Sequence, residues 1–226
     1  MTIERNVIWK VDRSAIAGQS WHWQRNRWFP SLHVVIRENY AEDIGGDGIV
    51  PWATDGVLVE WNVVRDCNRR AATCNAGSIG TVVRRNISHY DRERIFHISA
   101  VEKVRVEENA IYVGPGLDVQ MVLFSDWSGW ASGVVFKNNR YYVKGTVPYG
   151  HSTLRRPDGH YELSEGWGPA TDVIFREGRK VQGVPARDWE GPSFDRGRPA
   201  EFGDWLRRHR EWLLGLMRAE FGDGVN

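Results

Sequence analysis

The sequence Val57-Leu58-Val59-Glu60-Trp61-Asn62 is followed by a similar one, Thr81-Val82-Val83-Arg84-Arg85-Asn86. In both, a β-branched pair flanks one residue and is followed by two further residues and an asparagine. The pattern recurs at residues 3–6, 34–39, 104–109 and 134–139, with its asparagines at Asn6, Asn39, Asn62, Asn86, Asn109 and Asn139. Their spacings are 33, 23, 24, 23 and 30 residues. A repeat of roughly 20 to 50 residues indicates a solenoid or another repeat architecture.

The residues three and five positions before each asparagine share one face of a strand, because successive side chains point to opposite faces. Stacked coils bring equivalent residues about 4.8 Å apart on neighbouring strands. We therefore predict parallel strands and one buried column, which consists of Ile3, Ile36, Val59, Val83, Val106 and Phe136.

Two polar columns fit the same register. The asparagines are expected to form a buried amide ladder, in which each side chain donates to the next. Two positions earlier the charge alternates in sign from coil to coil, through Glu4, Arg37, Glu60, Arg84, Glu107 and Lys137. Opposite charges on adjacent strands contribute about 0.2 to 1 kcal/mol per pair, so this register is favoured.

The predicted fold class is all-β, a right-handed parallel β-helix of about five to six coils over residues 1–144. A helical solenoid is excluded because its repeats need amphipathic helices, whereas these segments are short, β-branched and punctuated by glycine. Residues 145–226 are predicted to form an irregular extension with a strand at Asp172 to Phe175. An amphipathic helix within Ala200 to Phe221 is expected to pack on the solenoid, with membrane attachment as the less favoured alternative.

Composition excludes several classes of protein. The net charge of the 226 residues is +1, with acids and bases interspersed, so no field of one sign attracts nucleic acid or an anionic membrane. Cys67 and Cys74 lack the spacing of a zinc site, which leaves a local disulfide or two free thiols. Residues 1–6 enter a strand pattern without the apolar stretch of a signal peptide, and we expect the chain to be the interior of a longer protein.

Four segments resemble right-handed β-helix proteins of the pectate-lyase-like superfamily: Asn39 to Pro51, Leu58 to Val64, Asn75 to Gly77 and Val82 to Ser88. The resemblance covers about two thirds of the chain, from Thr2 to Lys144. Members are largely secreted or periplasmic, and many are glycoside hydrolases or polysaccharide lyases, so the resemblance implies carbohydrate as the substrate class. Because this fold hosts several chemistries, the reaction must be inferred from the site.

The third coil departs from the pattern of the superfamily. The second coil has a turn between Ile49 and Val57, whereas the third reaches Thr81 almost directly after Gly77. One side of the third coil is therefore expected to be missing. The chain is accordingly interpreted as a shortened relative with an incomplete active face.

A pair of aspartates is the main catalytic candidate. Lys10, Asp43 and Asp66 each lie four residues after an asparagine, so we expect them to be neighbours in successive coils. Two carboxylates about 5 Å apart match a retaining glycosidase, in which one is the nucleophile and the other the acid/base. The alternative is a surface charge ladder. A carboxylate pair also suits a calcium ion bridging to an acidic sugar, as a lyase needs, although no ligand spacing establishes that site.

Two further residues are catalytic candidates. Asp47 lies between two glycine-containing dipeptides, where a tight turn can hold a side chain at a strand entry; an Asx-turn that caps its own backbone is the alternative. His97 lies between Phe96 and Ile98, and alternation places it outward if those two are core residues. An outward histidine could be a general acid or base.

Substrate-binding candidates come from the loops. Arg70, with its neighbour Arg69, could clamp a uronate carboxylate in bidentate fashion, or could be a solvated loop charge. Trp52, Trp127 and Trp130 could form aromatic platforms for sugar rings, with covering of the solenoid core as the alternative.

These observations predict a carbohydrate-active protein, most consistent with a glycoside hydrolase that acts on a polysaccharide or oligosaccharide through Asp43 and Asp66. The alternatives are a non-catalytic glycan-binding β-helix fragment and a polysaccharide lyase. No cofactor and no metal are predicted, except calcium if the chain is a lyase. Neither nucleic acid nor a membrane is predicted as a partner, and the sugar, the linkage and the oligomeric state stay open.

Overall fold

The computed structural model describes residues 1–19, 29–114, 119–124, 131–143, 173–176, 211 and 214–222. Nearly all regular structure in these residues is β-strand. The strands in chain order are β1 (Thr2–Glu4), β2 (Val7–Val11), β3 (Ile16–Gln19), β4 (Ser31–Leu32), β5 (Val35–Arg37), β6 (Tyr40–Ile44), β7 (Asp47–Trp52), β8 (Thr54–Asp55), β9 (Leu58–Glu60), β10 (Val63–Cys67), β11 (Arg70–Ile79), β12 (Val82–Arg84), β13 (Ile87–His89), β14 (Glu93–Glu102), β15 (Arg105–Glu107), β16 (Ala110–Val113), β17 (Val119–Phe124), β18 (Val135–Lys137), β19 (Arg140–Val143) and β20 (Val173–Arg176).

The strands form three parallel sheets, to which successive coils contribute in turn. The first sheet has the order β1-β5-β9-β12-β15-β18, and the second has the order β2-β6-β10-β13-β16-β19-β20. The third has the order β17-β14-β11-β7-β3, and β4 pairs with β8, which pairs with β11. This arrangement is a parallel β-helix, and the six strands of its first sheet agree with the predicted five to six coils.

The predicted buried column of the first sheet is confirmed. Its members are consecutive partners in register: Ile3, Ile36, Val59, Val83, Val106 and Phe136. All except Ile3 are at most 1% exposed, and Ile3, in the first coil, is partly buried. Phe96 of the third sheet meets Phe136 edge-on with ring centroids 5.7 Å apart, so side chains of different sheets fill one interior.

The predicted asparagine ladder is also confirmed, and its members are buried except for Asn6, which is exposed, and Asn86, which is partly buried. In the first five members, the side-chain amide donates to Oδ1 of the asparagine in the next coil at 2.9 to 3.0 Å, and Asn139 Nδ2 donates to the Val106 carbonyl oxygen at 2.9 Å. The backbone N–H of the same residue donates to that oxygen at 3.0 to 3.1 Å. The ladder therefore satisfies the polar groups at the corner between the first and second sheets.

The alternating charges of the first sheet form ion pairs between coils. Arg37 Nε lies 2.7 Å from Glu4 Oε2, and Arg84 Nη2 lies 2.8 Å from Glu60 Oε2. A neighbouring column, not predicted from the sequence, adds a pair between Arg85 and Glu108 at 2.7 Å. The register is therefore supported by ion pairs outside and by apolar packing inside.

The corners of the coils contain single residues with positive φ. At the first corner these residues precede the asparagines and have φ of 52° to 59°: Arg5, Glu38, Trp61, Arg85, Glu108 and Asn138. At the second corner they have φ of 50° to 59°: Lys10, Asp43, Asp66 and Tyr90. At the third corner they have φ of 48° to 66°: His33, Gly56, Gly80, Lys103 and Gly133. Because non-glycine residues rarely adopt this conformation, the geometry of the coil imposes it.

The third coil is complete, and the expectation that one of its sides is missing is wrong. Strand β11 pairs with β7 through Ala72 and with β8 through Ile79. A register shift between Asn75 and Ser78 joins these two parts within one ten-residue strand. The turn of the second coil is thus replaced by a bulge, and the third coil has a strand in all three sheets.

Gly48 lies where two segments of backbone approach closely. A Cβ on Gly48 would lie 2.5 Å from the Ala71 carbonyl oxygen and 2.6 Å from Val64 Cγ1. Overpacking costs about 1 to 3 kcal/mol, so we expect Gly48→Ala to lower the free energy of unfolding in urea by that amount. Gly18→Ala in β3 is the matched control, because the nearest atom to its Cβ would be Thr54 Cγ2 at 3.5 Å. Equal losses at the two sites would contradict the close approach.

The chain divides into two compact units, Met1–Glu177 and Gly178–Asn226. In the first, β20 pairs with β19 and lies at the strand predicted near residues 172–175. In the second, residues 214–221 are helical and fall within the predicted amphipathic helix. The domain boundary at residue 144 and the packing of this helix on the solenoid stay predictions. No helix in the described residues is long and apolar enough to span a membrane.

Candidate functional site

The corner between the second and third sheets carries the aspartate pair. Asp43 lies in β6 and Asp66 in β10, and the residues on both sides of them are paired in register. The two aspartates are therefore neighbours on adjacent coils, with backbones about 4.8 Å apart. Lys10 of β2 is the neighbour of Asp43 on the other side. The predicted column exists, and the catalytic role of the pair stays a prediction.

An open cleft of about 650 Å³ lies at this corner. Residues from four coils line it, and they include Trp9, Lys10, Glu42, Asp43, Asp66, Asn68 and Arg92. Lys10 in the first coil and Arg92 in the fourth place cations on either side of the carboxylates. The lining thus offers hydrogen-bond donors, acceptors and one aromatic ring to a polar ligand.

Both aspartates lie beside cations. Lys10 Nζ is 3.8 Å from Asp43 Oδ2, and Arg65 Nε is 3.3 Å from Asp66 Oδ2. The side chain of Asp43 is 60% exposed and that of Asp66 is 38% exposed. Because such exposed pairs contribute only about 0 to 1 kcal/mol, a ligand in the cleft can exchange one of these contacts for its own.

Glu42 is held at the edge of the cleft by two residues. The Tyr40 hydroxyl donates to Glu42 Oε2 at 2.9 Å, and Arg65 Nη1 lies 3.6 Å from Glu42 Oε1. Burial raises the pKa of the Tyr40 hydroxyl, and the Glu42 carboxylate raises it further. Tyr40 therefore stays protonated and continues to donate to Glu42 at neutral pH.

A buried carboxyl next to the cleft was missed by the sequence analysis. Asp91 is 0% exposed; its Oδ1 accepts the Cys67 N–H at 2.7 Å, and its Oδ2 accepts the Ser88 hydroxyl at 2.6 Å. Burial raises the pKa of Asp91 well above its ordinary value. At the same offset from the preceding asparagines as Asp91 has from Asn86, the residues are apolar. A carboxyl in this column of the repeat was the feature of the sequence that could have identified it. Trp9 was missed because only loop tryptophans were considered.

The other two catalytic candidates are not among the described residues that line the cleft. Asp47 is the first residue of β7 and is half-buried. His97 lies in β14 between the core residues Phe96 and Ile98. It is only 6% exposed, and the residues on both sides of it are core residues, as the predicted alternation requires. Catalytic roles for both stay untested predictions.

The predicted substrate-binding residues are not brought together in the described part of the chain. Trp52 ends β7, is partly buried and is in register with Gln19 and Asn75. Arg70 begins β11 in register with Asp47, and its side chain lies outside the described part. Trp127 and Trp130 also lie outside the described residues. Their roles as sugar platforms stay predictions.

Cys67 is buried and is not disulfide-bonded, so the alternative of a local disulfide at this residue is wrong. Its Sγ donates to the Gly46 carbonyl oxygen at 2.8 Å. Within the described ranges, no group of three or more His, Cys, Asp or Glu side chains is arranged to hold a metal ion. A calcium ion stays a prediction only for the alternative that the chain is a polysaccharide lyase.

No protein-family model, no curated protein and no solved structure matches this chain. The fold and the cleft define its class as a parallel β-helix with an open polar cleft at one corner.

Proposed function

We propose that the chain is a carbohydrate-active β-helix protein, related in kind to the pectate-lyase-like superfamily. It binds a polysaccharide or oligosaccharide in the corner cleft and hydrolyses a glycosidic bond there. The proposal is carried by one observation: Asp43 and Asp66 lie on adjacent coils and line the same open cleft. Carboxyl groups about 5 Å apart are typical of retaining glycosidases, which pass through a covalent glycosyl-enzyme intermediate.

The two carboxyl groups take different roles in this reaction. A nucleophile must be ionised, and each aspartate has an ion pair that favours its carboxylate, Asp43 with Lys10 at 3.8 Å and Asp66 with Arg65 at 3.3 Å. We assign the nucleophile to Asp43, because its side chain is the more exposed of the two and its anion is the better solvated. Asp66 is then the acid/base, which protonates the leaving oxygen and afterwards takes a proton from the attacking water. Its 38% exposure allows contact with both a sugar and water.

The remaining side chains of the cleft suit a sugar ligand. Trp9 is half-buried and lines the cleft, where an indole ring can contact the apolar face of a sugar ring. Lys10, Asn68 and Arg92 supply hydrogen-bond donors for hydroxyl oxygens. Because the cleft is open rather than enclosed, it suits a chain of sugars.

The second candidate function is glycan binding without chemistry. It is favoured by the ion pairs, because Asp43 and Asp66 each have their own cation and in this respect resemble the structural pair of Arg37 and Glu4. The polysaccharide lyase is kept as a third outcome of the same experiment.

The test is a panel of plant and algal polysaccharides and their oligosaccharides. Reducing ends report hydrolysis, absorbance of unsaturated uronates reports lyase activity, and calorimetry reports binding. For a substrate that is hydrolysed, Asp43→Asn and Asp66→Asn should each lower the rate by about 10²-fold or more. The melting temperatures should stay close to that of the wild type, because asparagine is nearly isosteric with aspartate.

Glu108→Gln is the matched control for these variants. Glu108 is also a corner residue with positive φ and an ion pair, at 2.7 Å to Arg85, but it lies at the first corner. Its variant should keep the full rate. Retention of the rate in both aspartate variants would contradict the catalytic assignment, and binding without release of reducing ends would favour the second candidate.

A further inference from the structure

Asp91 occupies a position that is apolar in the preceding coils. It lies five residues after Asn86, and the residues at the same offset from Asn6, Asn39 and Asn62 are Val11, Ile44 and Cys67. Ile44 and Cys67 belong to the core cluster, and Asp91 is as completely buried as they are. Burying a carboxyl costs stability unless hydrogen bonds compensate. The surrounding structure must therefore compensate the cost of burying a carboxyl at this position.

The fourth coil leaves the second sheet earlier than the coils before it. Strands β6 and β10 run to Ile44 and Cys67, whereas β13 ends at His89. The Asp91 side chain substitutes for the backbone that would continue the sheet, because its Oδ1 accepts the Cys67 N–H at 2.7 Å. The Arg92 N–H then donates to the Cys67 carbonyl oxygen at 2.8 Å. Both polar groups of the Cys67 main chain are thus held by the fourth coil.

These bonds fix the corner that carries Asp66, because Cys67 directly follows it. Asp66 has a φ of 50°, a conformation that is strained for a residue with a side chain. Such a residue keeps its conformation only where the surrounding structure over-determines it. The hydrogen bond from Cys67 to Asp91 is one of these restraints.

We propose that Asp91 is a positioning residue for Asp66, and that the charge state of this buried carboxyl alters the electrostatics of the cleft. The functional meaning of the inference rests on the proposed saccharide site, but its geometry does not depend on a ligand. Ionisation of Asp91 places a second negative charge behind the corner of Asp66. The cleft therefore changes with pH through a group that never touches the substrate.

The groups around Asp91 shift its pKa in opposite directions. Burial raises the pKa of Asp91 most strongly; the hydrogen bonds from Ser88 and from the Cys67 main chain oppose it, and the nearby Asp66 carboxylate raises it further. The main chain of His89, at the end of β13, also donates to Asp91. Because Asp66 directly precedes Cys67, whose main-chain N–H donates to Asp91, a change of charge on Asp91 alters the surroundings of the Asp66 carboxyl.

The test is a carboxyl-carbon NMR titration of Asp66 in the ligand-free full chain, with the signal assigned by Asp66→Asn. The wild type should show two inflections, one from Asp66 itself and one at higher pH from Asp91. Asp91→Asn should abolish the second inflection. Asparagine keeps an oxygen toward the Cys67 N–H, so the fold is expected to persist.

Ser88→Ala keeps the test decisive if Asp91→Asn does not fold. It removes a hydrogen bond that lowers the pKa of Asp91, so the second inflection at Asp66 should move to higher pH. Glu108→Gln should change neither inflection. A single inflection in the wild type, or a second inflection that neither variant changes, would overturn the proposal. A chain that shows the coupling but binds no saccharide would instead contradict the proposed function, so the two failures are distinguishable.

Discussion

Val83→Asp is expected to lower the free energy of unfolding by about 3 to 5 kcal/mol or more, because it buries a carboxylate without a cation. Val83 is 1% exposed, and its partners in the adjacent coils are Val59 and Val106. The interior at this level consists of apolar side chains, and the neighbouring backbone groups are committed to the sheet. Urea unfolding followed by circular dichroism measures the loss.

The next residue of the same strand provides the matched control. The side chain of Arg84 is 35% exposed and pairs with Glu60 at 2.8 Å on the opposite face of the sheet. Arg84→Ala should cost less than Val83→Asp, about 1 to 3 kcal/mol, because it leaves the Glu60 carboxylate, whose side chain is only 10% exposed, without this cation. Comparable losses for the two substitutions would show that the inner and outer faces of the first sheet are assigned wrongly.

The register of the coils could be predicted from the sequence because two independent columns agree on it. The asparagines satisfy one another only when they are stacked, and the charges attract only in the same alignment. A slip of one residue would also turn Val59 and Val83 toward solvent. The same register places Asp43 beside Asp66, since their equal offset from Asn39 and Asn62 leaves no room for an insertion.

The conformation of the corners could not be predicted from residue type. Glycine is the residue expected at positive φ, and Gly56 and Gly80 show that signal at the third corner. At the second corner Lys10, Asp43 and Asp66 adopt φ of 50° to 55°. One sheet ends and the next begins around each of these residues, so the requirement comes from the coil rather than from the side chain.

The alternation of residues along a strand also does not predict which strand faces are covered by other segments of the chain. Alternation separates His97 from Phe96 and Ile98, but it does not predict that His97 is 6% exposed and its partner in register, Leu123, 5% exposed. Burial of a strand face depends on segments that are distant in sequence. Asp91 was missed for a related reason, because the Cys67 N–H that donates to it reaches it only when the third and fourth coils stack.

Asn62→Asp is expected to lower the free energy of unfolding by about 3 to 5 kcal/mol, because it disrupts a buried part of the asparagine ladder. Asn62 is 0% exposed. Its Nδ2 donates to Asn86 Oδ1 at 2.9 Å, to the Ile36 carbonyl at 2.9 Å and to the Glu60 carbonyl at 3.0 Å. A carboxylate oxygen in its place would face three acceptors, so hydrogen bonds are lost and a charge is buried.

The pH dependence of this loss provides a second measurement. Burial and the three acceptors favour the neutral form, so the pKa of the introduced carboxyl is raised in the folded state above its unfolded value. The variant is therefore least destabilised below the unfolded pKa, and its stability falls as pH rises through the folded pKa. Urea unfolding at about pH 4 and about pH 7 should show a larger deficit at the higher pH.

Asn6→Asp at the end of the ladder is the control for both measurements. Asn6 makes a similar bond, from its Nδ2 to Asn39 Oδ1 at 2.9 Å, but it is exposed in the first coil. Water can solvate a carboxylate there, so the loss should be about 1 kcal/mol and should depend little on pH. A melting temperature that is unchanged in Asn62→Asp, or equal losses at the two positions, would mean that the stacked asparagines do not stabilise the solenoid by hydrogen bonding in its interior.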